Sequence, residues 1–255
     1  MTDRITTPLL VRRLAGAAAL VAAFAFGTTQ ADAAPVTFTQ ITGLTGGSPA
    51  QTGVFRADLS GLGVGQIASI TIRDSNSGVG GSGSQFSGFD LDALVISTVF
   101  ISDASQVGLL APAVALDFAN SILTAGTQRP PADPALFGTS GGQVNNAVAT
   151  LNLFDGNSTT AIPGAAGFVS LGDGGVLSIN LVAPLAISSP LYLYIGEVGD
   201  NGEVAASDIT ISDQPVSVPE PAALLLFGIA LLGLGAVVRQ RAALQGALPA
   251  AAFRG

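Results

Sequence analysis

Short apolar runs alternate with polar residues along residues 34–217 and are broken at intervals by Gly, Asn, Asp, Ser and Pro. A period of two sends one set of side chains to each face of a strand, so this texture predicts β-structure. Val36–Ile41 alternates from its first residue, and Ile67–Arg73 repeats the pattern. Ala93–Ile101 is nearly continuous and rich in β-branched residues, as expected of a central strand. Further strands are predicted over 147–154, 167–171, 176–182, 191–198 and 204–212. Asp155-Gly156-Asn157, Asp173-Gly174-Gly175 and Asn201-Gly202 supply turn chemistry between them. Strands at this spacing predict an all-β domain, a β-sandwich of jelly-roll-like kind. Residues 105–124 have mixed apolar spacing around Pro112 and predict a short helix. Residues 127–134 carry three prolines, which lack the ladder donor, and predict a surface loop.

The pattern changes at both ends. Arg4, Arg12 and Arg13 precede an apolar stretch from Leu14 to Phe26, followed by the small-x-small triplet Ala31-Asp32-Ala33. An apolar run of this length is too short to span a bilayer and fits a secretory leader, residues 1–33, with Ala34 as the new N-terminus after signal peptidase. Leu14-Ala15-Gly16 lacks the neighbours expected of a twin-arginine signal, so ordinary Sec export is predicted. Residues 222–238 then carry no polar side chain, roughly 26 Å as a helix at about 1.5 Å per residue. Arg239, Arg241 and Arg254 follow that segment, which predicts one transmembrane helix with its C-terminus in the cytoplasm and the preceding domain outside. The leader demands the same orientation. The chain thus divides into 1–33, a β-rich domain at 34–212, a linker at 213–218, an anchor segment at 219–241 and a short tail at 242–255.

Composition narrows the function of the exported part. Of 17 acidic residues only Asp3, Asp32 and Glu220 fall outside 34–217, leaving 14 inside, against Arg56, Arg73 and Arg129. A net charge of −11 repels nucleic acid. The chain has no Cys, so no disulfide staples the core, and no His, which removes imidazole zinc sites, His-assisted nucleophiles and the commonest general base. Trp is absent, and Tyr192 and Tyr194, alternating with Leu191 and Leu193, are expected on one sheet face in a packing role. A non-catalytic protein without a cofactor is expected, with Ca²⁺ as the one ion the acidic positions suggest.

Val218-Pro219-Glu220-Pro221 stands directly before the apolar segment, and Arg239-Gln240-Arg241 closes it. In these parts and in their order the chain resembles the PEP-CTERM sorting domain. The resemblance implies recognition by an exosortase near Pro219, Glu220 and Pro221, with Arg239 and Arg241 as the basic cluster. It also implies an exported protein of a Gram-negative, exopolysaccharide-producing bacterium, membrane-anchored before processing and then at the cell surface or outside. The two prolines hold the backbone extended where a protease binds it. Residues 242–255 run past the point where members of this family usually stop. The role expected is that of a surface or matrix protein associated with exopolysaccharide or biofilm. The alternative is a Ca²⁺-dependent adhesin module for glycans or proteins.

Two sets of carboxylates are candidate sites. In Phe89-Asp90-Leu91-Asp92-Ala93 a strand would place Asp90 and Asp92 on one face, about 6.6 Å apart. That face is either a Ca²⁺ site completed by the preceding Gly-rich loop or a solvated acidic surface. The segment also resembles an element of exported domains that share interchangeable anchors. Glu197, Asp200, Glu203 and Asp208 are expected at a solvated hairpin tip, with a second cation site as the alternative; as a glycosidase pair, Glu197 and Glu203 have no supporting residues. Gly78–Gly83 matches G-x-G-x-x-G, but no helix follows to receive a pyrophosphate, so no nucleotide is expected.

Overall fold

The computed structural model describes residues 32–48, 50–80, 83–157 and 167–217. Twelve strands lie among them: β1 (Ala33–Pro35), β2 (Thr39–Thr45), β3 (Thr52–Asp58), β4 (Gln66–Arg73), β5 (Asp90–Ser97), β6 (Ile122–Thr124), β7 (Thr139–Ser140), β8 (Gln143–Val144), β9 (Val169–Ser170), β10 (Val176–Ala186), β11 (Tyr192–Val198) and β12 (Asp208–Ser212). One five-stranded sheet has the order β1-β12-β4-β10-β6 and a second the order β2-β3-β11-β5-β9, with β7-β8 a separate ribbon. Every pairing between these strands is antiparallel. The fold is the all-β sandwich expected.

Alternation builds the core. Ile70 and Ile72 of β4, Leu177 and Ile179 of β10 and Ile209 and Ile211 of β12 meet Phe55 and Ala57 of β3, Ile96 of β5 and Leu193 and Ile195 of β11 in one buried cluster. Inner faces of two sheets interdigitate in this way because neither sheet hides its apolar face alone. A second cluster lies over the outer face of the second sheet, where Ile41, Val54, Ile101, Ala104 and Tyr194 pack together. β3 and β5 are therefore buried on both sides along most of their length.

Two ladders are interrupted. Between Asn180 and Leu185 the β10–β4 register shifts, and Pro184, which has no N–H, sits in the excursion. Between Leu91 and Leu94 of β5 the register against β11 shifts by one residue, so that both leucines reach the core.

Several elements differ from the sequence pattern. Residues 147–154 are turns, not a strand: Asn145 O accepts from Val148 N and Ala149 N, and Asn145 Oδ1 accepts from Ala147 N. Their apolar residues still count, since Ala149 and Leu151 are buried core. Residues 204–206 belong to a short helix, α1 (Glu203–Ala206), that precedes β12. The helix expected within 105–124 is two 3₁₀ turns, Ala104–Leu109 and Phe118–Asn120; the first is capped by Asp103, which accepts from Ser105 N. β2 begins at Thr39, later than expected, while β1 at 33–35 and β3 at 52–58 are strands that alternation did not disclose.

The stretch expected as a free linker is strapped to the first sheet. Asp213 O accepts from Gln66 Nε2 and Gln214 O from Ser69 Oγ, while Asn180 exchanges two hydrogen bonds with the backbone of Val216. The chain thus leaves the domain across the outer face of β4 and β10.

Candidate functional site

The acidic residues of the second sheet form two buried networks. Glu197, near the end of β11, is fully buried. Its Oε1 accepts from the backbone N–H groups of Asn201 (2.7 Å), Gly202 (2.9 Å) and Glu203 (3.1 Å), and its Oε2 from that of Val204 (3.0 Å). The first turn of a helix has free N–H groups, and a carboxylate satisfies them. Glu197 therefore folds the following turn back on itself and starts α1.

That turn delivers Glu203 to the end of β5. Glu203 Oε2 accepts from Asp90 N at 2.7 Å, beyond the last pairing of β5 with β11. Asp90 Oδ1 in turn accepts from Ser170 Oγ on β9. Burial raises the Glu203 carboxyl to about 10, and the neighbouring Asp90 and Glu197 charges add to the effect. Burial likewise raises Asp90 well above the ordinary range, against the opposing Ser170 hydrogen bond. Two acids so placed disfavour each other's charge in a dry site, so the pair takes up protons more readily than free carboxyls do.

The Gly-rich loop closes over this pair. Gly80 has φ +81°, and a Cβ there would lie 1.9 Å from Glu203 Cγ. Arg129 donates from Nη1 and Nη2 to Gly78 O and Gly80 O, and its Nε lies 3.2 Å from Asp173 Oδ2. Gly80→Ala combines a left-handed backbone with a buried clash, so it is expected to cost roughly 2–4 kcal/mol. Urea unfolding of the variant beside the wild type measures this.

Asp92 is also fully buried. Its Oδ2 accepts from Thr52 Oγ1 at 2.6 Å and its Oδ1 from Gly156 N at 2.7 Å. Burial lifts its carboxyl to about 7, against these hydrogen bonds. Gly156 lies close enough that a Cβ would come within 2.7 Å of Asp92 Cγ. The segment 150–157 thus covers Asp92.

These positions correct the solvated readings. Asp90 and Asp92 do not form an open acidic face, and Glu197 and Glu203 are buried under the turn rather than at a wet tip; Asp200 and Asp208 alone are exposed there. Among the described residues no group of three or more His, Cys, Asp or Glu is arranged to hold a metal ion. The partners Thr52, Ser170 and Gly156 carry no signal in the sequence, since each is set opposite its carboxylate by strand pairing or by a covering loop.

Tyr194 is buried, accepts from Ile101 N (3.0 Å) and donates to Val99 O (2.9 Å), which pins the segment after β5. Tyr192 meets the exposed Phe100 edge-on at 5.6 Å, and the Arg56 guanidinium lies 4.0 Å from the Phe100 centroid. The packing role expected of both tyrosines accounts for these contacts. Elsewhere an apolar slot of about 500 Å³ opens between Leu94, Val95, Pro112, Val114, Leu116 and Phe118, away from every carboxylate described above.

The two ends of the domain lie together. Asp32 N donates to Asp213 Oδ1 at 3.0 Å, Asp213 N donates to Asp32 O at 3.1 Å, and β1 pairs with β12 through Ala33–Ser212, Ala34–Ile211 and Pro35–Thr210. The segment leading back to the apolar leader is thereby clasped to the end of β12, from which the chain crosses β4 and β10 on its way to the apolar tail. Pro219, Glu220, Pro221, Arg239 and Arg241, like the leader up to residue 31, lie outside the described residues. Among the described residues no helix is long and apolar enough to cross a membrane.

Fold and chain ends together define a class: an acidic β-sandwich held between two apolar segments. Residues 217–241 match the family model of the PEP-CTERM protein-sorting motif, and the chain carries that motif. The motif implies export, membrane anchoring as a sorting substrate and processing by an exosortase. No curated protein and no solved structure matches the chain.

Proposed function

We propose that this protein is a non-catalytic component of the cell exterior, delivered by its sorting motif and associated there with exopolysaccharide. The observation that carries the reading is the motif at 217–241, which directly follows a sandwich whose first strand is clasped to its last. A domain built so stands on one membrane while leader and tail are both in place, and either cut leaves the sandwich whole. Its acidic surface suits a matrix in which divalent cations bridge like charges.

The carboxylates support a structural role. Glu197, Asp90, Asp92 and Glu203 accept hydrogen bonds from their own chain, and burial withholds them from a substrate. We place the non-catalytic reading above a Ca²⁺-dependent adhesin because Asp90 and Asp92 direct oxygens to Ser170, Thr52 and Gly156.

Deletion of residues 219–255 is expected to release the sandwich into the medium, whereas the full chain stays in the envelope and matrix fractions. Immunoblots of the separated fractions measure this, and a truncated protein that stays with the envelope would overturn sorting by the tail. Enzymatic digestion of the polysaccharide is expected to shed the processed full-length protein. Retention after complete digestion would overturn the association.

A further inference from the structure

The leader offers two small-x-small triplets, Thr29-Gln30-Ala31 and Ala31-Asp32-Ala33, and the residue pattern accepts a cut after either. The fold distinguishes them. A cut after Ala33 removes the Ala33–Ser212 pair and both hydrogen bonds between Asp32 and Asp213. It leaves β1 as Ala34 and Pro35, and Pro35 has no N–H to give to a ladder. A cut after Ala31 keeps β1 entire. It also changes the chemistry of one atom: the nitrogen of Asp32, already 3.0 Å from Asp213 Oδ1, becomes the terminal amine.

We propose that signal peptidase cuts between Ala31 and Asp32, and that the α-ammonium so formed pairs with the Asp213 carboxylate. The cut is a hydrolysis: the amide bond breaks, the hydroxyl of water completes the Ala31 carboxyl, and its proton goes to the Asp32 amine, which is an ammonium at neutral pH. A neutral N–H donor on Asp213 is thereby replaced by a charged one in the same position, and charge-assisted hydrogen bonds are the stronger kind. The ion pair fastens β1 to the end of β12, just before the chain crosses β4 and β10 toward the sorting motif.

The composition supplies an unusually direct assay. The chain has no lysine, so the α-amine is the only primary amine of the processed protein. Mass spectrometry of the processed protein from an exporting host is expected to find Asp32 as the first residue; Ala34, or any other start, would overturn the site. Acylation by an amine-reactive ester at pH 7 then tests the pair. A free α-amine titrates at about 7.7–8.0, and an anion within a few ångströms raises that value. Asp213→Asn keeps an oxygen acceptor but removes the charge, and is expected to react roughly 3–10-fold faster than wild type. Equal rates in two proteins that both begin at Asp32 and melt alike would overturn the ion pair.

Discussion

Raising the pH from 5 to 9 is expected to lower the melting temperature of this domain by roughly 10 °C or more, the reverse of the usual acid sensitivity of proteins. The cause is the burial of Asp92, Asp90 and Glu203. Each has a folded-state pKa above its unfolded value, so the folded protein binds protons more tightly than the unfolded chain. Their contribution is complete below the unfolded values near 4 and is lost as pH rises through the folded ones, about 7 for Asp92 and about 10 for Glu203. For Asp92 alone a shift from 3.8 to about 7 corresponds to roughly 4 kcal/mol of pH-dependent stability. Asp92→Asn should make the decline shallower between pH 5 and 7, and Glu203→Gln shallower throughout pH 5 to 9. Thermal melts followed by circular dichroism across this range check both. A wild-type protein whose stability rises from pH 5 to 9 would show that these carboxyls are ionised in the fold.

Glu197→Ala is expected to cost roughly 3–5 kcal/mol, enough to unfold much of a marginally stable domain at 37 °C. The side chain is buried, and its two oxygens take four backbone N–H groups of residues 201–204. Alanine leaves those donors without an acceptor and opens a cavity beneath the turn. Glu197→Gln separates the contributions. It fills the space, but an amide NH₂ then faces N–H donors, so a smaller loss is expected. The Glu197 charge helps to raise the Glu203 carboxyl, so the alkaline limb of the pH profile should also move to lower pH in this variant. Urea unfolding at pH 6 and pH 9 measures the two effects. A loss under 1 kcal/mol for the alanine variant would mean that the turn is held by other contacts.

Alternation made β10 and β12 most legible, because each has one face on the core and one turned outward. It failed where a strand is covered on both sides and its residues are interrupted, and where apolar residues sit in a turn. β3, Thr52–Asp58, gave no signal: Gly53 and Arg56 interrupt it, and its outer face is buried against Ile41, Ile101 and Tyr194. Residues 147–154 gave a false one, because apolar side chains at alternate positions also plug a core from a turn. The carboxylates were visible as candidates, but their environment was not. Asp92 is buried by the segment 150–157, and Glu203 by the loop at Gly80 that Arg129 holds in place. Such contacts join residues more than forty positions apart, and no local pattern encodes them.

What the sequence determined by itself is the layout: a cationic apolar leader, a strongly acidic body of short alternating strands free of Cys and His, and a Pro-Glu-Pro segment before an apolar stretch and a basic cluster. These are properties of residue type and local order, which solvent, membrane and processing enzymes read directly. Only the tertiary structure decided that Asp90, Asp92, Glu197 and Glu203 are inside rather than on the surface, and that Asp32 and Asp213 meet at the junction of the first and last strands. Burial and proximity depend on which strands pair, and a carboxylate acquires its pKa from what covers it and not from its neighbours in the chain.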